Sequence, residues 1–265
     1  MNLYKKMRSS VEKYNNCDNL LKDIYGLDPD QEYDAIIVAP SWNPEIIFSE
    51  YEPVVKVEKK GPYYCGYTVS MKGKTYGYIQ TGSSSSNMID CCLTLGGSKC
   101  KKVIFIGAAG ALKADIKLGD IIIPKYSIAG DGGSLYLYEE ISVENFRKKI
   151  YPNKEISHTI IEAAERLNIA VKEKIVYCTD SIFCEYYHLE DILSLGSELI
   201  EMETAAFFRC MELIDKPGFA LLCVSLCISD NSATKNSLVD KSPEDRMRYH
   251  ESRNKCIPQL ILELT

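Results

Sequence analysis

The sequence predicts an α/β fold, in which one domain contains a mixed, twisted central sheet flanked by helices. Short apolar runs that end in polar or small residues recur along the chain, and amphipathic, helix-like stretches separate them. The chain has 265 residues, of which 46% are hydrophobic, and this is enough to bury one large core. There is no internal repeat, no linker and no low-complexity segment longer than four serines, so one domain is the simplest interpretation.

The N-terminal segment has a polar, helix-compatible pattern over residues 1–25 that ends at Gly26. Glycine commonly follows the last turn of a helix because it adopts left-handed backbone angles without strain. We therefore predict an N-terminal helical extension over residues 1–30, followed by the α/β domain over residues 31–265.

The next part of the chain predicts three strands, a helix and a fourth strand. The apolar run in 33–40 is typical of a buried parallel strand, and two alternating stretches joined by Lys72 and Gly73 predict a hairpin. The segment TGSSSSNMIDCCLTLGG predicts a helix capped by Ser86 or Asn87. A second buried strand is predicted in KVIFIGAAGAL.

The second half of the chain continues the alternation. Residues 120–130 predict a strand and residues 155–169 an amphipathic helix. Three more strands are predicted in KIVYCTDS, LIEME and GFALLCVSLCISD. The final stretch opens with Ser-Pro-Glu, a typical helix start, and Pro258 is expected to bend the resulting helix.

Composition restricts the class of partner and the compartment. A net charge of -6 argues against a nucleic-acid-binding protein, which usually presents a basic face. No apolar run reaches the length of a membrane span, and the N-terminus lacks the apolar core of a signal peptide. The 11 cysteines are irregularly spaced, which favours buried reduced thiols over disulfides or a metal site. We expect a cytoplasmic protein.

Acidic residues lie at the ends of three predicted strands: Asp180, Glu203 and Asp230. In α/β sheets, ligands bind beyond the carboxyl ends of the strands, where loops and helix starts meet. These carboxylates could therefore line a site. For a single strand-end acid, a helix cap or an ion pair is the alternative interpretation.

Several of these strand ends resemble the motifs of the nucleoside phosphorylase superfamily, which includes uridine phosphorylase, hexameric purine nucleoside phosphorylase and methylthioadenosine nucleosidase. The similar segments are IGAAGAL followed by KLGDIIIP, then IEMETAAFF and ISDN, in the family's order and spacing. The resemblance runs from about Asp34 to the C-terminal helix. It implies cleavage of the N-glycosidic bond of a ribonucleoside.

The resemblance implies roles for the acidic motif. Glu203 would accept hydrogen bonds from the ribose 2′ and 3′ hydroxyls, and its charge would favour a cationic sugar. Met202 would pack against the ribose, although core filling is the commoner role of methionine. Glu201 has a weaker case and could bond the backbone or a neighbouring helix instead.

The resemblance also implies how the base is held and released. Asp230 matches the general acid that donates to N7 of a purine, with a helix cap as the alternative interpretation. Arg246 matches approximately the arginine that partners this aspartate in some members.

Other residues match the positions that surround the base in the family. The small residues Ala109 and Gly110 lie where backbone approaches the base. Ile182 and Phe183 lie where the family places an aromatic ring, and which of them stacks is open. The glutamine and arginine that read uracil in uridine phosphorylase have no counterpart, which favours a purine.

The phosphate-binding arginines of the family are the main departure. Phe105 and Glu45 stand where two of them are expected. Losing guanidinium contacts removes the main anchors of a phosphate dianion, and a glutamate could orient a water molecule instead. Lys59, Lys60 or the serines of 83–86 could rebuild a phosphate site. The reaction is therefore phosphorolysis or hydrolysis, with a slight preference for hydrolysis.

We expect an enzyme that cleaves a purine ribonucleoside; the alternative is a weakened family member that senses nucleosides. The expected partners are a small-molecule nucleoside and possible co-substrate phosphate, with no cofactor, metal, nucleic acid or membrane. We also expect a homodimer or an assembly of dimers. That expectation rests on the resemblance and on five tyrosines: Tyr63, Tyr64, Tyr67, Tyr76 and Tyr78.

Overall fold

A computed structural model describes residues 2–15, 19–228 and 241–265, and it confirms the predicted α/β fold. Ten strands form one mixed sheet. The strands are β1 (Ala35–Ala39), β2 (Val54–Lys60), β3 (Cys65–Met71), β4 (Lys74–Gln80), β5 (Val103–Ala111), β6 (Ile121–Ala129), β7 (Lys149–Ile150), β8 (Val171–Cys178), β9 (Leu199–Glu201) and β10 (Gly218–Cys227).

Ten α-helices are found within the described residues. They are α1 (Leu3–Asn15), α2 (Leu20–Tyr25), α3 (Pro44–Ile47), α4 (Ser85–Thr94), α5 (Lys154–Arg166), α6 (Ile182–Tyr187), α7 (Leu189–Ser194), α8 (Thr204–Ile214), α9 (Pro243–Glu251) and α10 (Ile257–Leu264). No helix in the described part of the chain is long and apolar enough to cross a membrane.

The strands run in the order β10-β6-β8-β9-β5-β1-β4-β3-β2, and β7 pairs with β6. Strand β10 also pairs with β5, in parallel. The pairings β10–β6, β6–β8, β8–β9, β9–β5 and β5–β10 therefore join five strands in a closed ring. The register brings the ends of four ring strands close together: Cys178 of β8 lies opposite Glu201 of β9, Ile200 lies opposite Gly110 of β5, and Val224 of β10 lies opposite Ala109. The short β9 runs antiparallel to β5, so it meets only the last residues of that strand.

Both faces of the central strands are buried. In β1, Ile36 and Val38 belong to one buried cluster, whereas Ile37 belongs to another. Successive side chains of a strand point to opposite faces, so the two clusters lie on the two sides of the sheet. This explains why β1 and β5 appear in the sequence as nearly continuous apolar runs.

Strand β2 is not predicted by the sequence analysis. It lies at the edge of the sheet, and its Val54 and Val57 are 70% and 53% exposed. A lysine-rich edge strand with exposed valines lacks the apolar alternation that marks a half-buried strand.

The start of α4 corrects the predicted cap. Ser84, rather than Ser86 or Asn87, is the N-cap, and its hydroxyl accepts a hydrogen bond from the backbone N–H of Asn87 at 3.1 Å. The helix therefore begins at Ser85, earlier than predicted, and Ser86 and Asn87 lie within its first turn.

The C-terminal helix begins as predicted, with Ser242 as N-cap and Pro243 in the first turn. It is interrupted by a π-helical turn over Ser252–Cys256, just before Pro258. Proline lacks a backbone N–H and clashes with the preceding turn, which accounts for this break in the regular hydrogen bonding.

Helix α2 packs into the main core through Leu21 and Tyr25, which are 1% and 4% exposed. A Cβ at Gly66 on β3 would clash with the carbonyl oxygen of Tyr25, so this helix lies directly against the sheet.

The tyrosines that suggested oligomerisation lie mostly inside the chain's own fold. Tyr76 and Tyr78 are fully buried and Tyr67 is 8% exposed, whereas Tyr63 is 81% exposed. These side chains therefore give little support to an intermolecular surface, and the expected dimer rests on the family resemblance.

Candidate active site

A cavity of about 190 Å³ lies at the carboxyl ends of the ring strands. The residues that form it follow β1, β4, β8 and β9 or lie at the ends of β5 and β10. Six of the predicted site residues line it: Ala109, Gly110, Ile182, Glu201, Met202 and Glu203. Residues distant in sequence thus meet where α/β proteins bind ligands.

A larger cavity of about 360 Å³ lies between α1 and α4, where Tyr4, Arg8 and Asp90 line it. We place the active site in the smaller cavity because buried carboxyl groups converge there, and perturbed carboxyls in a cleft are typical of catalytic sites.

The carboxylate of Glu201 holds the start of α8. Its Oε2 accepts hydrogen bonds from the backbone N–H groups of Glu203 at 2.7 Å and Thr204 at 2.9 Å. Its Oε1 accepts from the Thr204 hydroxyl at 2.8 Å and from the Cys178 thiol at 2.7 Å. Burial raises the pKa of Glu201, and these hydrogen bonds oppose the rise. Both carboxylate oxygens of Glu201 are thus engaged by the protein.

Glu203, in contrast to Glu201, has a carboxylate oxygen that no described group satisfies. It occupies the cap position of α8, yet Glu201 already satisfies the first N–H groups of that helix. The Glu203 side chain is 5% exposed, and its Oε1 is buried without a hydrogen-bond partner among the described residues. Burial and the neighbouring charge of Glu201 raise the pKa of Glu203 well above its usual range. A buried acceptor without a donor costs free energy, and a bound hydroxyl could satisfy it.

The sheet order places two groups of cavity-lining residues on opposite sides of the β5–β9 pair. Pro40, Ser41 and Ser83 follow β1 and β4, which lie on one side of β5. Thr179, Ile182 and Glu185 follow β8, which lies on the other side of β9.

Glu185 lines the cavity but was missed by the sequence analysis. It lies one turn after Ile182 on α6, so both side chains project from the same helix face. Glu185 is 5% exposed, and burial raises the pKa of its carboxyl to about 7. A glutamate inside the short segment IFCEYY gives no pattern that would have revealed this.

Several predicted residues do not line the cavity. Phe183 is 89% exposed, and Glu45 is exposed in the first turn of α3. Arg246 is partly buried on α9. Asp230 lies outside the described residues.

The serines of 83–86, which were considered for phosphate binding, have different roles in the structure. Ser83 lines the cavity, Ser84 caps α4, and the buried Ser85 hydroxyl donates to the Asp180 carboxylate at 3.3 Å. Phe105 is fully buried and packs on Phe207 with ring centroids 5.7 Å apart.

The two candidate lysines lie near α2. Lys59 donates to the backbone carbonyl of Asp23, and Lys60 is exposed. No lysine or arginine of the described ranges lines the cavity.

Comparison with known proteins decides the family. A family model described as "Phosphorylase superfamily" matches residues 35–261. The chain belongs to the phosphorylase superfamily. This confirms the family predicted from the motifs and, with it, the prediction that the chain is an enzyme.

Curated relatives in this superfamily carry one description, purine nucleoside phosphorylase of the DeoD type. The protein from Mycoplasma genitalium is 27% identical over 187 residues, covering 68% of this chain and 72% of its own length. That from Aliivibrio salmonicida is 26% identical over 188 residues, covering 69% and 76%.

Solved structures in the phosphorylase superfamily share the fold. Uridine phosphorylase from Vibrio fischeri superposes with a TM-score of 0.71 at 20% identity, covering 90% of this chain and 94% of its own. Purine nucleoside phosphorylase from Toxoplasma gondii, in complex with immucillin-H, gives a TM-score of 0.71 at 16% identity, covering 89% and 94%.

Proposed function

We propose that this enzyme cleaves the N-glycosidic bond of a purine ribonucleoside bound in the cavity at the strand ends. The observation that carries the proposal is the buried Oε1 of Glu203, which has no partner among the described residues. A ribose hydroxyl would supply the missing donor. The alternative is that the chain binds a nucleoside without turning it over.

Glu203 would act on both the substrate and the transition state. Breaking the bond places positive charge on the ribose and negative charge on the departing base. Burial favours the neutral form of Glu203 in the free enzyme, but hydroxyl donors and a cationic ring beside it would favour the ionised form. The resulting carboxylate would orient the sugar through hydrogen bonds from the ribose hydroxyls, and its charge would stabilise the cationic ring. Met202, which lines the same cavity, would pack against the uncharged face of the ribose.

Asp230 would protonate the purine at N7 as the base leaves, and Arg246 would support it. Both assignments rest on the match to the superfamily's motifs. A purine is favoured over a pyrimidine because the curated relatives are named purine nucleoside phosphorylases and the uracil-reading residues have no counterpart.

The acceptor of the ribosyl group is water or phosphate. Water is favoured because no described cation lines the cavity, and a buried dianion without paired donors is strongly disfavoured. Assigning Glu45 to orient this water rests on the match to the superfamily's motifs alone, because its side chain is exposed outside the cavity. Phosphate is the second candidate because the relatives are named phosphorylases; Ser41 and Ser83 would then contribute hydroxyls.

A product analysis tests the proposal. Adenosine, inosine, guanosine, methylthioadenosine and uridine are incubated with the enzyme, with and without phosphate. We expect a purine ribonucleoside to be cleaved, uridine to be left largely intact, and free ribose or a 5-modified ribose to accumulate without phosphate.

Two results would change the conclusion. A saturable phosphate requirement with ribose 1-phosphate as the only sugar product would establish phosphorolysis in place of hydrolysis. Purine nucleosides that bind but are never cleaved would reject catalysis and favour a sensor.

A further inference from the structure

We propose that Glu185 recognises the six-membered ring of the purine, at N1 and the substituents next to it, and so determines which purines bind. This inference rests on the proposed function, which places a purine nucleoside in the cavity.

The place of Glu185 in the cavity supports this role. With the ribose at Glu203, the base can extend toward the serines after β1 and β4 or toward α6 after β8. The α6 end joins the partly exposed Ile182 to one carboxyl group, and Leu226 adds apolar surface to the same cavity. An apolar wall with a few placed polar groups suits a flat heterocycle that has one polar edge.

The Glu185 carboxyl is free to bind a ligand. Its side chain is 5% exposed, yet within the described residues it has no hydrogen-bond or ion-pair partner. No described residue competes with a ligand for this carboxyl, and burial of the side chain disfavours its charged form. The polar edge of a base would compensate for this cost.

Several ionisable groups lie near Glu185, but burial is the cause of its raised pKa. Glu201 and Glu203 line the same cavity, Asp180 precedes α6, and the neighbouring α7 carries Glu190 and Asp191, with His188 between the two helices. Burial is nevertheless the cause of its raised pKa, at about 7, so both protonation states are populated near neutral pH.

The two states favour different bases. A 2-amino-6-oxopurine presents two adjacent donors, N1–H and the C2 amino group, and the two oxygens of an ionised carboxylate can accept both. A 6-aminopurine presents a lone pair at N1 and a donor on the C6 amino group. A protonated carboxyl can donate to that N1 and accept from the amino group, forming two hydrogen bonds. Low pH therefore favours adenine and high pH favours guanine.

Equilibrium binding of the free bases adenine and guanine tests this without requiring turnover. For the wild-type enzyme we expect the ratio of the two affinities to shift toward guanine by at least about tenfold between pH 6 and pH 8. Glu185→Gln should hold one ratio across this pH range, because an amide does not titrate. Glu190→Gln, an exposed change on α7, should retain the wild-type shift.

A wild-type ratio that does not change with pH would overturn the inference, even if Glu185→Gln failed to fold. A pH-dependent ratio that persists in a folded Glu185→Gln variant would also overturn it. If purine nucleosides are cleaved while either result holds, only the role of Glu185 fails. If neither base binds and no purine nucleoside is cleaved, the proposed function fails together with it.

Discussion

At the scale of single residues, two glutamates near the start of α8 differ in how their carboxyl groups are satisfied. Glu201 accepts four hydrogen bonds from the protein, whereas Glu203 keeps a buried oxygen without a described partner. The two roles are linked, because Glu201 caps the helix and so leaves Oε1 of Glu203 without a described partner. The first stabilises the fold, and the second is available to a ligand.

We expect opposite changes in stability from the two amide substitutions. Glu201→Gln places an amide NH₂ against groups that donate hydrogen bonds, so it should lower the free energy of unfolding by about 2–4 kcal/mol. Glu203→Gln removes a carboxyl with a raised pKa. Such a group destabilises the fold as pH rises through its folded-state pKa, so the variant should gain about 2–4 °C in Tm at pH 8 and less at pH 5.

Thermal and urea unfolding at the two pH values measure both effects. A Glu201→Gln variant as stable as the wild type would show that capping by Glu201 is unimportant. A Glu203→Gln variant with a lower Tm at pH 8 would contradict the free, destabilising carboxyl.

At the scale of elements, the serines at the start of α4 have different roles: Ser83 lines the cavity and Ser84 caps the helix. Ser84→Ala removes the cap acceptor for the Asn87 N–H and should cost about 1 kcal/mol of unfolding free energy. Ser86→Ala is the matched control, since Ser86 is exposed within the helix and should change stability by less than about 0.5 kcal/mol. Urea denaturation of both variants measures these free energies. A larger loss in Ser86→Ala than in Ser84→Ala would show that Ser86, as predicted from the sequence, is the cap.

The elements that the sequence predicts are those with strong local signals. Strands β1 and β5 are apolar runs because both of their faces are buried, and Ser242-Pro243 marks the start of α9. The edge strand β2 and the short helix α6 were not predicted. Few of their side chains are buried, so the pattern that distinguishes a strand or helix from a loop is weak.

At the scale of the whole molecule, long-range pairings assemble the site. The sequence predicts strands that end in acids, but the closure of the ring through β10 and β5 depends on contacts more than 100 residues apart. The residues Ala109, Gly110, Met202 and Glu203, named from the motif resemblance, line one cavity. The resemblance did not point to Glu185, whose proposed role depends on its burial in that cavity rather than on any motif.

The central claim is that the free carboxyl of Glu203 holds the sugar during bond cleavage. The most direct test is kcat/KM of Glu203→Gln on the best purine ribonucleoside, beside the wild type and the exposed α7 variant Glu190→Gln. We predict a loss of at least about a hundredfold in Glu203→Gln, with the fold intact, and wild-type activity in the control. A folded Glu203→Gln enzyme that retains near-normal kcat/KM would contradict the account.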